Sequence, residues 1–283
     1  MLLKLENVKK NYGNFSLDCS MEVKRGQVTG IIGSNGAGKS TTFKSILGLI
    51  FPDGGNIEMF GKNVNDISIE DKEKIGVVLT EANVNELLRA KDLVSIMKAM
   101  YKKFSAEDYL NKCKQYNIPM DKPIKEYSTG MKAKLKLILA LSHDAELLIL
   151  DEPTAGLDVI MRNELLDMLR DYMEDDNRGI LISSHISTDL EGICDDLYMI
   201  SDGKIVMHEE TDVLLSEYGI IKATKEQFDS LDKTHIISVK EEKFGYLCLT
   251  NQKDFYMENY PSVAIEKGNI DDFIILMVKG ERK

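Results

Sequence analysis

The feature that most constrains the fold is a glycine-rich segment at residues 33–40, with the sequence GSNGAGKS. It follows the apolar run VTGIIG and precedes TTFKSILGLI, an apolar-faced helical pattern expected to end at Pro52, Asp53 and the paired glycines. The segment matches G-x-x-x-x-G-K-[ST], in which glycines let the backbone wrap a phosphate while successive amides supply positive potential. The sequence therefore predicts a strand, a phosphate-binding loop and a helix in succession.

This loop is predicted to bind a nucleotide together with Mg²⁺. Lys39 is expected to reach the β and γ phosphates, and Ser40 to ligate the metal ion. The alternative, a fortuitous glycine-rich turn, is disfavoured by the flanking strand and helix. The predicted nucleotide-binding residues of the loop are Gly33, Ser34, Asn35, Gly36, Ala37, Gly38, Lys39, Ser40 and Thr41.

Acidic residues follow the apolar run LLIL, at Asp151 and Glu152. An aspartate at the carboxyl end of a buried strand suits the Mg²⁺ shell, and a neighbouring glutamate can orient and deprotonate the attacking water. The pair therefore predicts hydrolysis as well as binding, although two acidic residues can also simply begin a surface turn. Another apolar run, GILIS, leads to His185, which by itself is more often a surface or helix-capping residue than a nucleotide contact.

The rest of the chain predicts an α/β fold with two additions. Short alternating runs before the loop indicate antiparallel strands, and residues of about 82–145 read as a helical insert. Beyond it, alternating strands and helices predict a parallel sheet flanked by helices. The tail mixes strand and helix patterns, so the expected division is a core at residues 1–216 and a small C-terminal α+β unit at residues 217–283.

Composition limits the classes of function. Lys and Arg number 36 against 47 Asp and Glu, a formal net charge of −11 that predicts no nucleic-acid partner. No apolar run approaches the roughly 20 residues needed to span a bilayer, and the N-terminus lacks a long apolar secretory segment. The cysteines are scattered, at Cys19, Cys113, Cys194 and Cys248. Because they form no C-x-x-C pair, they argue against a zinc site or a disulfide framework, and a cytoplasmic location is expected.

The motif order GSNGAGKS, YSTGM, LLILDEP, AGLD and SSH resembles the ATPase subunit of ATP-binding cassette (ABC) transporters over residues 2–207. The resemblance implies an ABC ATPase core that uses ATP and Mg²⁺. The stretches IGVVLTEANVNELL and DDFIILMVKGE look like a Gram-positive exporter-type group, whose ATPase subunits pair with separately encoded membrane subunits. A transport motor on the inner face of the plasma membrane is thus implied, working as a pair of identical or different cassettes.

The resemblance also implies roles for individual residues. YSTGM takes the place of the family signature, whose Ser128 and Gly130 would contact the γ-phosphate of the nucleotide held by the other subunit. Tyr12 matches the aromatic residue that stacks on adenine. Asp158 matches the loop that joins the two sites of the pair, and His185 matches a switch histidine that contacts the γ-phosphate.

Two departures from the family pattern leave questions open. Thr129 replaces a signature glycine and Met131 replaces the glutamine, so altered affinity is expected at a working site. In IGVVLTEAN, either Thr80 or Glu81 stands where the family has a metal-sensing glutamine. Glu81 is the candidate that can approach the metal through water.

Two other functions compete with the transport motor. One is a soluble cassette ATPase that acts on nucleic acid or ribosomes, which the acidic charge and the single cassette disfavour. The other is a regulator that binds nucleotide and closes with hardly any turnover, which Glu152 and His185 weigh against.

Overall fold

The computed structural model describes residues 1–282, which form a ten-stranded sheet, a five-stranded sheet and the helices around them. The strands are β1 (Leu3–Asn11), β2 (Ser16–Val23), β3 (Gln27–Ile32), β4 (Gly54–Met59), β5 (Lys62–Asn63), β6 (Ile75–Val78), β7 (Leu147–Asp151), β8 (Gly179–Ser184), β9 (Asp196–Ser201), β10 (Lys204–Glu210), β11 (Gly219–Ala223), β12 (Ile236–Glu242), β13 (Gly245–Thr250), β14 (Ala264–Glu266) and β15 (Glu281–Arg282). The α-helices are α1 (Lys39–Ile46), α2 (Ile69–Lys72), α3 (Leu93–Met100), α4 (Ala106–Gln115), α5 (Thr129–Leu141), α6 (Val159–Tyr172), α7 (Ser187–Glu191), α8 (Thr211–Glu217), α9 (Lys225–Ser230), α10 (Lys253–Asn259) and α11 (Ile270–Lys279).

The larger sheet joins a parallel half to an antiparallel half, in the order β5-β4-β1-β2-β10-β9-β3-β8-β7-β6. Strands β9, β3, β8, β7 and β6 are parallel neighbours, whereas β5, β4, β1 and β2 pair antiparallel. Every residue of β7 and β8 is buried, as expected for parallel strands covered by helices on both faces. The predicted α/β core with an antiparallel part is confirmed.

Parallel pairing brings the residues predicted for nucleotide binding and hydrolysis to one edge of the sheet. Strand β3 leads directly into the phosphate-binding loop, β7 ends at Asp151 and β8 ends at Ser184. In the register, Asp151 pairs with Ser183 and Ile32 pairs with Ser184. Because the carboxyl ends of parallel strands meet at one edge, residues far apart in the sequence become neighbours there.

Helix α1 is shorter than its apolar pattern predicts. It ends at Ile46 rather than continuing to Pro52, so that boundary prediction is wrong. The cause is Gly48, whose φ of 66° is in the left-handed region that favours glycine. The amide of Leu49 then donates to the carbonyl of Lys44 at 2.9 Å and closes the helix end.

The helical insert contains α3, α4 and α5, as its sequence pattern predicts, although residues 86–89 lie outside the helices. Ser105 caps α4 by accepting from the amide of Asp108 at 3.1 Å. The fully buried Tyr109 donates its hydroxyl to the carbonyl of Ala90 at 2.8 Å. This buried contact ties α4 to the segment that leads into α3.

The five-stranded sheet, ordered β14-β11-β13-β12-β15, contributes its two faces to different cores. Successive side chains of a strand point to opposite faces. Ile221 of β11 packs in a cluster with Tyr256 of α10, whereas Ile220 belongs to the large core that also contains Phe273 of α11 and Leu190 of α7. The inner face of this sheet is therefore continuous with the core of the larger part.

Candidate active site

A cavity of about 410 Å³ lies at the carboxyl edge of the parallel strands. It brings together most of the residues predicted from the sequence to touch nucleotide or metal. Gly33 and Ala37 are buried members of the same loop. The predicted residues in the cavity lining are Ser34, Asn35, Gly36, Gly38, Lys39, Ser40, Thr41, Glu81, Asp151, Glu152 and His185.

The loop requires glycine for two different reasons. Gly36 and Gly38 have φ angles of 82° and 117°, in the region that residues with a Cβ rarely adopt. Gly33 has no such φ, but a Cβ at its position would lie 2.3 Å from the carbonyl oxygen of Ile200 in β9. The glycines thus allow the loop to turn sharply while it packs tightly against the sheet.

Lys39 places a cation beneath the loop. Its side chain is 6% exposed, and Nζ donates to the carbonyls of Gly33 and Ser34 at 2.7 and 3.4 Å. Nζ also lies 3.4 Å from Oε1 of Glu152. Within the described chain no side chain caps the N-terminus of α1, so its first amides remain donors for an anion.

Asp151 is buried, and each of its carboxylate oxygens accepts a hydrogen bond. Its Oδ2 accepts from the hydroxyl of Ser40 at 3.0 Å, and its Oδ1 accepts from the hydroxyl of Ser183 at 2.7 Å. Its carbonyl oxygen accepts from Thr80 Oγ1 at 2.9 Å. The carboxylate thus joins the start of α1 to the end of β8, and the main-chain carbonyl of the same residue holds the segment after β6.

Glu152 has a left-handed backbone, with φ of 53°. Its amide donates to Ser183 Oγ at 3.0 Å, and its Oε2 accepts from the backbone amide of His185 at 3.1 Å and contacts Nδ1 of the same ring. A non-glycine residue held in this conformation by its surroundings is typical of functional sites. The two predicted catalytic residues are therefore in direct contact, beside Lys39.

Thr80 and Glu81 both line the cavity but make different contacts. The side chain of Glu81 is 75% exposed, and its Oε2 accepts from Lys44 Nζ at 2.8 Å. Thr80 instead bonds to the carbonyl of Asp151, as described above. The threonine hydroxyl is thus tied to the acidic strand end, while the glutamate carboxylate pairs with a lysine of α1.

Phe15 lines the cavity and was not predicted from the sequence. The predicted adenine partner, Tyr12, is 48% exposed, and its ring is stacked on that of Phe15 with centroids 6.5 Å apart. The amide of Tyr12 donates to the carbonyl of Phe15 at 2.8 Å, which forms a tight turn. The signal was present in the sequence NYGNF, where two aromatic residues lie three positions apart.

The residues predicted to form the signature, Ser128 and Gly130, lie at the start of α5. Ser128 accepts from the amide of Met131 at 3.2 Å and caps the helix. A Cβ on Gly130 would lie 3.1 Å from Cγ of Met161 in α6, so α5 packs closely there. Asp158 caps α6 by accepting from the amide of Met161 at 2.9 Å. Ser128, Gly130 and Asp158 are not among the residues that line the cavity at the glycine-rich loop of the same chain.

The donors at the cavity fit a magnesium ion that arrives with a nucleotide. Within residues 1–282 no group of three or more His, Cys, Asp or Glu side chains could hold a metal ion by itself. Ser40 and Asp151 offer one hydroxyl and one carboxylate, 3.0 Å apart. Mg²⁺ is usually held by one or two such ligands together with substrate phosphates.

Residues 17–155 match the family model described as ABC transporter. The chain is 35% identical over 215 residues to the lantibiotic transport ATP-binding protein SrtF of Streptococcus pyogenes, covering 75% of this chain and 92% of that protein. It is 34% identical to the linearmycin resistance ATP-binding protein LnrL of Bacillus subtilis, covering 72% of this chain and 68% of that protein. Identity to the bacitracin transport ATP-binding protein BcrA of Bacillus licheniformis is 35%, with the same coverage of 72% and 68%.

Solved structures share the fold. A structure described as the ATP-binding subunit of an ABC transporter superposes with a TM-score of 0.68 at 26% identity, covering 76% of this chain and 92% of that one. The dimeric post-hydrolysis state of the cassette MJ0796, bound to ADP and Pi, superposes with a TM-score of 0.65 at 22% identity, covering 74% of this chain and 99% of that one.

In the part of the chain that the structure describes, no helix has both the length and the apolar character to cross a membrane.

Proposed function

The chain belongs to the ABC transporter family, and from this premise we propose that it is the ATP-hydrolysing motor subunit of an exporter. The observation that carries the proposal is the contact of Lys39, Glu152 and His185 beside a glycine loop, at the edge where Asp151 meets Ser40. Relatives named for transport of a lantibiotic or of bacitracin support a transport role, and export is the direction that the family resemblance implies. Selectivity for the cargo is expected to lie in the membrane subunits.

We propose the following division of labour in the cavity. Lys39 and the first amides of α1 bind the β and γ phosphates, and Ser40 and Asp151 hold Mg²⁺. When bound there, Mg²⁺ would neutralise charge on the phosphates. Glu152 orients the attacking water and accepts its proton, while His185, bonded to the same carboxylate, contacts the γ-phosphate.

We further propose that Thr80 takes the place of the metal-sensing glutamine. Its hydroxyl bonds to the carbonyl of Asp151 at 2.9 Å, which supports a role in fixing the metal-binding strand end. Glu81 is bound to Lys44. A direct part for Glu81 in the metal shell would require that ion pair to break.

The proposed working unit is a pair of cassettes with two nucleotides between them. Ser128 and Gly130 then serve the nucleotide of the opposite subunit, and Asp158 joins the two sites. Val159 and Ile160, which follow Asp158, are 67% and 72% exposed, so the single chain carries an uncovered apolar pair at this place. The two paired cassettes are proposed to act at the cytoplasmic face of the plasma membrane, together with separately encoded membrane subunits.

The proposed organisation of the chain has two parts. Residues 1–216 form the ATPase domain, with the helical subdomain at about residues 82–145. Residues 217–283 form an accessory unit. The separate five-stranded antiparallel sheet supports this division.

Phosphate release from ATP tests the function. We expect the wild-type chain to hydrolyse ATP, and Glu152→Gln to lower the rate by at least about 10²-fold because a proton acceptor is lost, while ATP binding is retained. Glu217→Gln, an exposed residue at the end of α8, is the matched control and should keep the wild-type rate. A background rate that Glu152→Gln leaves unchanged, with the membrane partner present, would instead indicate a binding regulator.

A further inference from the structure

The segment after His185 is a short helix that cannot hold its position alone. Helix α7 has five residues. Its N-cap residue is Ile186, whose apolar side chain cannot make a capping hydrogen bond. Helices of this length are unstable in isolation, so their placement depends on tertiary contacts. Ser187 and Asp189 supply such contacts, since they are only 3% and 2% exposed.

On one side, α7 is tied to the loop that carries Glu152. Asp189 Oδ2 accepts from Thr154 Oγ1 at 2.7 Å, two residues after Glu152. Asp189 Oδ1 lies 3.4 Å from Nε of Arg162, in the helix that Asp158 caps. Asp189 therefore joins the segment after His185 both to the loop that carries Glu152 and to α6.

On the other side, α7 is tied to the accessory unit at both of its ends. Ser187 donates its hydroxyl to Oδ2 of Asp271 at 2.9 Å, in the first turn of α11. At the far end, Glu191 Oε1 accepts from the amide of Ile270 at 3.4 Å. Ile270 and Phe273 are 1% and 0% exposed, so α11 is anchored in the core and gives these bonds a fixed support.

We propose that Asp271 is a positioning residue for His185 and acts through Ser187, so that the accessory unit sets the placement of the histidine at the γ-phosphate. The inference rests on the proposed role of His185 in hydrolysis. Ser187 lies two residues from His185, whose backbone amide and ring both contact Glu152. A shift of α7 would therefore move His185, which contacts and orients Glu152, the proposed proton acceptor.

The test uses full-length variants that distinguish loss of the hydrogen bond between Ser187 and Asp271 from a general loss of stability in α11. Asp271→Ala removes the acceptor, Ser187→Ala removes the donor, and Asp271→Asn keeps an acceptor oxygen. The matched control is Asp254→Ala, because Asp254 is exposed and occupies the same second position of α10 that Asp271 occupies in α11. ATP turnover gives kcat and KM, and amide hydrogen exchange of residues 183–194 without nucleotide reports the placement of α7.

We expect Asp271→Ala and Ser187→Ala each to lower kcat by about two- to tenfold with little change in KM, since the phosphate loop is untouched. The double variant should fall no further than either single variant, because both remove the same bond. Asp271→Asn and Asp254→Ala should stay near the wild-type kcat. In Asp271→Ala, exchange of residues 183–194 should be faster than in the wild type.

Unchanged kcat in both single variants, or losses that add in the double variant, would overturn the inference. A fall in thermal stability with kcat and exchange intact would assign the bond a structural role only. If the wild-type chain fails to hydrolyse ATP, the proposed function fails, and the exchange measurement still decides the inference. Unchanged exchange of residues 183–194 in Asp271→Ala would then overturn it.

Discussion

At the scale of single residues, Asp151 and Glu152 are neighbours with different surroundings. Both carboxylate oxygens of Asp151 accept from serine hydroxyls, and the residue is 5% exposed. Glu152 turns into the cavity with a left-handed backbone and faces Lys39 and His185. The first arrangement suits a fixed metal ligand, and the second suits a group that accepts a proton from water.

The aromatic pair at the cavity gives the first prediction. Phe15 lines the cavity, whereas Tyr12 stacks on Phe15 from outside it, so we expect Phe15→Ala to weaken ATP binding more than Tyr12→Ala. Stacking of a base on an aromatic ring contributes about 1–3 kcal/mol, so the loss should be at least about fivefold in Kd. Titration calorimetry with ATP measures it. Phe244→Ala, at a ring 94% exposed in the accessory unit, is the control.

A larger loss of affinity in Tyr12→Ala than in Phe15→Ala would contradict this assignment. It would make Tyr12 the main adenine contact, as the family resemblance implies. Equal losses would indicate that the rings act as one stacked unit.

His143 couples stability to pH. The ring is 2% exposed, Nδ1 lies 3.1 Å from the carbonyl of Leu139, and Nε2 lies 3.2 Å from that of Ile75. Burial lowers the pKa of His143 below its ordinary value, against the opposing pull of the two carbonyls. The folded state therefore favours the neutral ring.

The sign of the pH effect follows from this shift. Above the unfolded-state pKa of about 6.5, His143 is neutral in both states and its stabilising contribution is complete. As the pH falls, the unfolded chain gains the proton first, so the free energy of unfolding declines until the pH passes the lowered folded-state pKa. We expect His143→Gln to have a lower Tm near neutral pH and a flatter decline of Tm from about pH 7.5 to about pH 5.5.

His235→Gln is the matched control for that measurement, because its ring lies in the accessory unit against Phe255. A decline in His143→Gln as steep as in the wild type would show that other groups cause the pH dependence.

At the scale of elements, two helices begin with the same cap and differ in proposed use. Ser128 caps α5 by accepting from Met131, and Ser105 caps α4 by accepting from Asp108. Loss of such a cap typically costs about 0.5–2 kcal/mol of stability. Only Ser128 is proposed to contact the nucleotide of a second subunit.

We therefore expect Ser128→Ala and Ser105→Ala to lower Tm by similar amounts, while only Ser128→Ala lowers kcat for ATP. The fall should be at least about fivefold, as for a hydrogen bond to a charged group. Calorimetry and phosphate release on both variants measure the two effects. Equal kcat in the two variants would mean that YSTGM acts as a helix start and nothing more.

The elements differ in how far the sequence predicts them. The strand, loop and helix around Lys39 were predictable because local spacing specifies them. The end of α1 was not, because Gly48 closes the helix before Pro52 is reached. The short β11 and α10 gave no clear pattern, and the contact of Glu152 with His185 depends on the pairing of β7 with β8.

At the scale of the whole molecule, one core runs through both parts of the chain. The same cluster contains Leu190 of α7, Leu214 of α8 and Phe273 of α11. Tyr218, at the proposed boundary, packs its ring 5.8 Å from that of Phe273. Sequence patterns indicate individual strands and helices but do not show which of their faces share a core, so this continuity is not predictable from the sequence.

ATP is proposed to join two cassettes, with the signature of each completing the nucleotide site of the other. The most direct measurement is size-exclusion chromatography with light scattering on Glu152→Gln, with and without ATP, because blocked hydrolysis should trap the closed pair. We predict the mass of one chain without nucleotide and twice that mass with ATP, and a return to one chain when Ser128→Ala is added. A single-chain mass at saturating ATP, with nucleotide binding confirmed, would contradict the account of a pair formed by two copies of this chain.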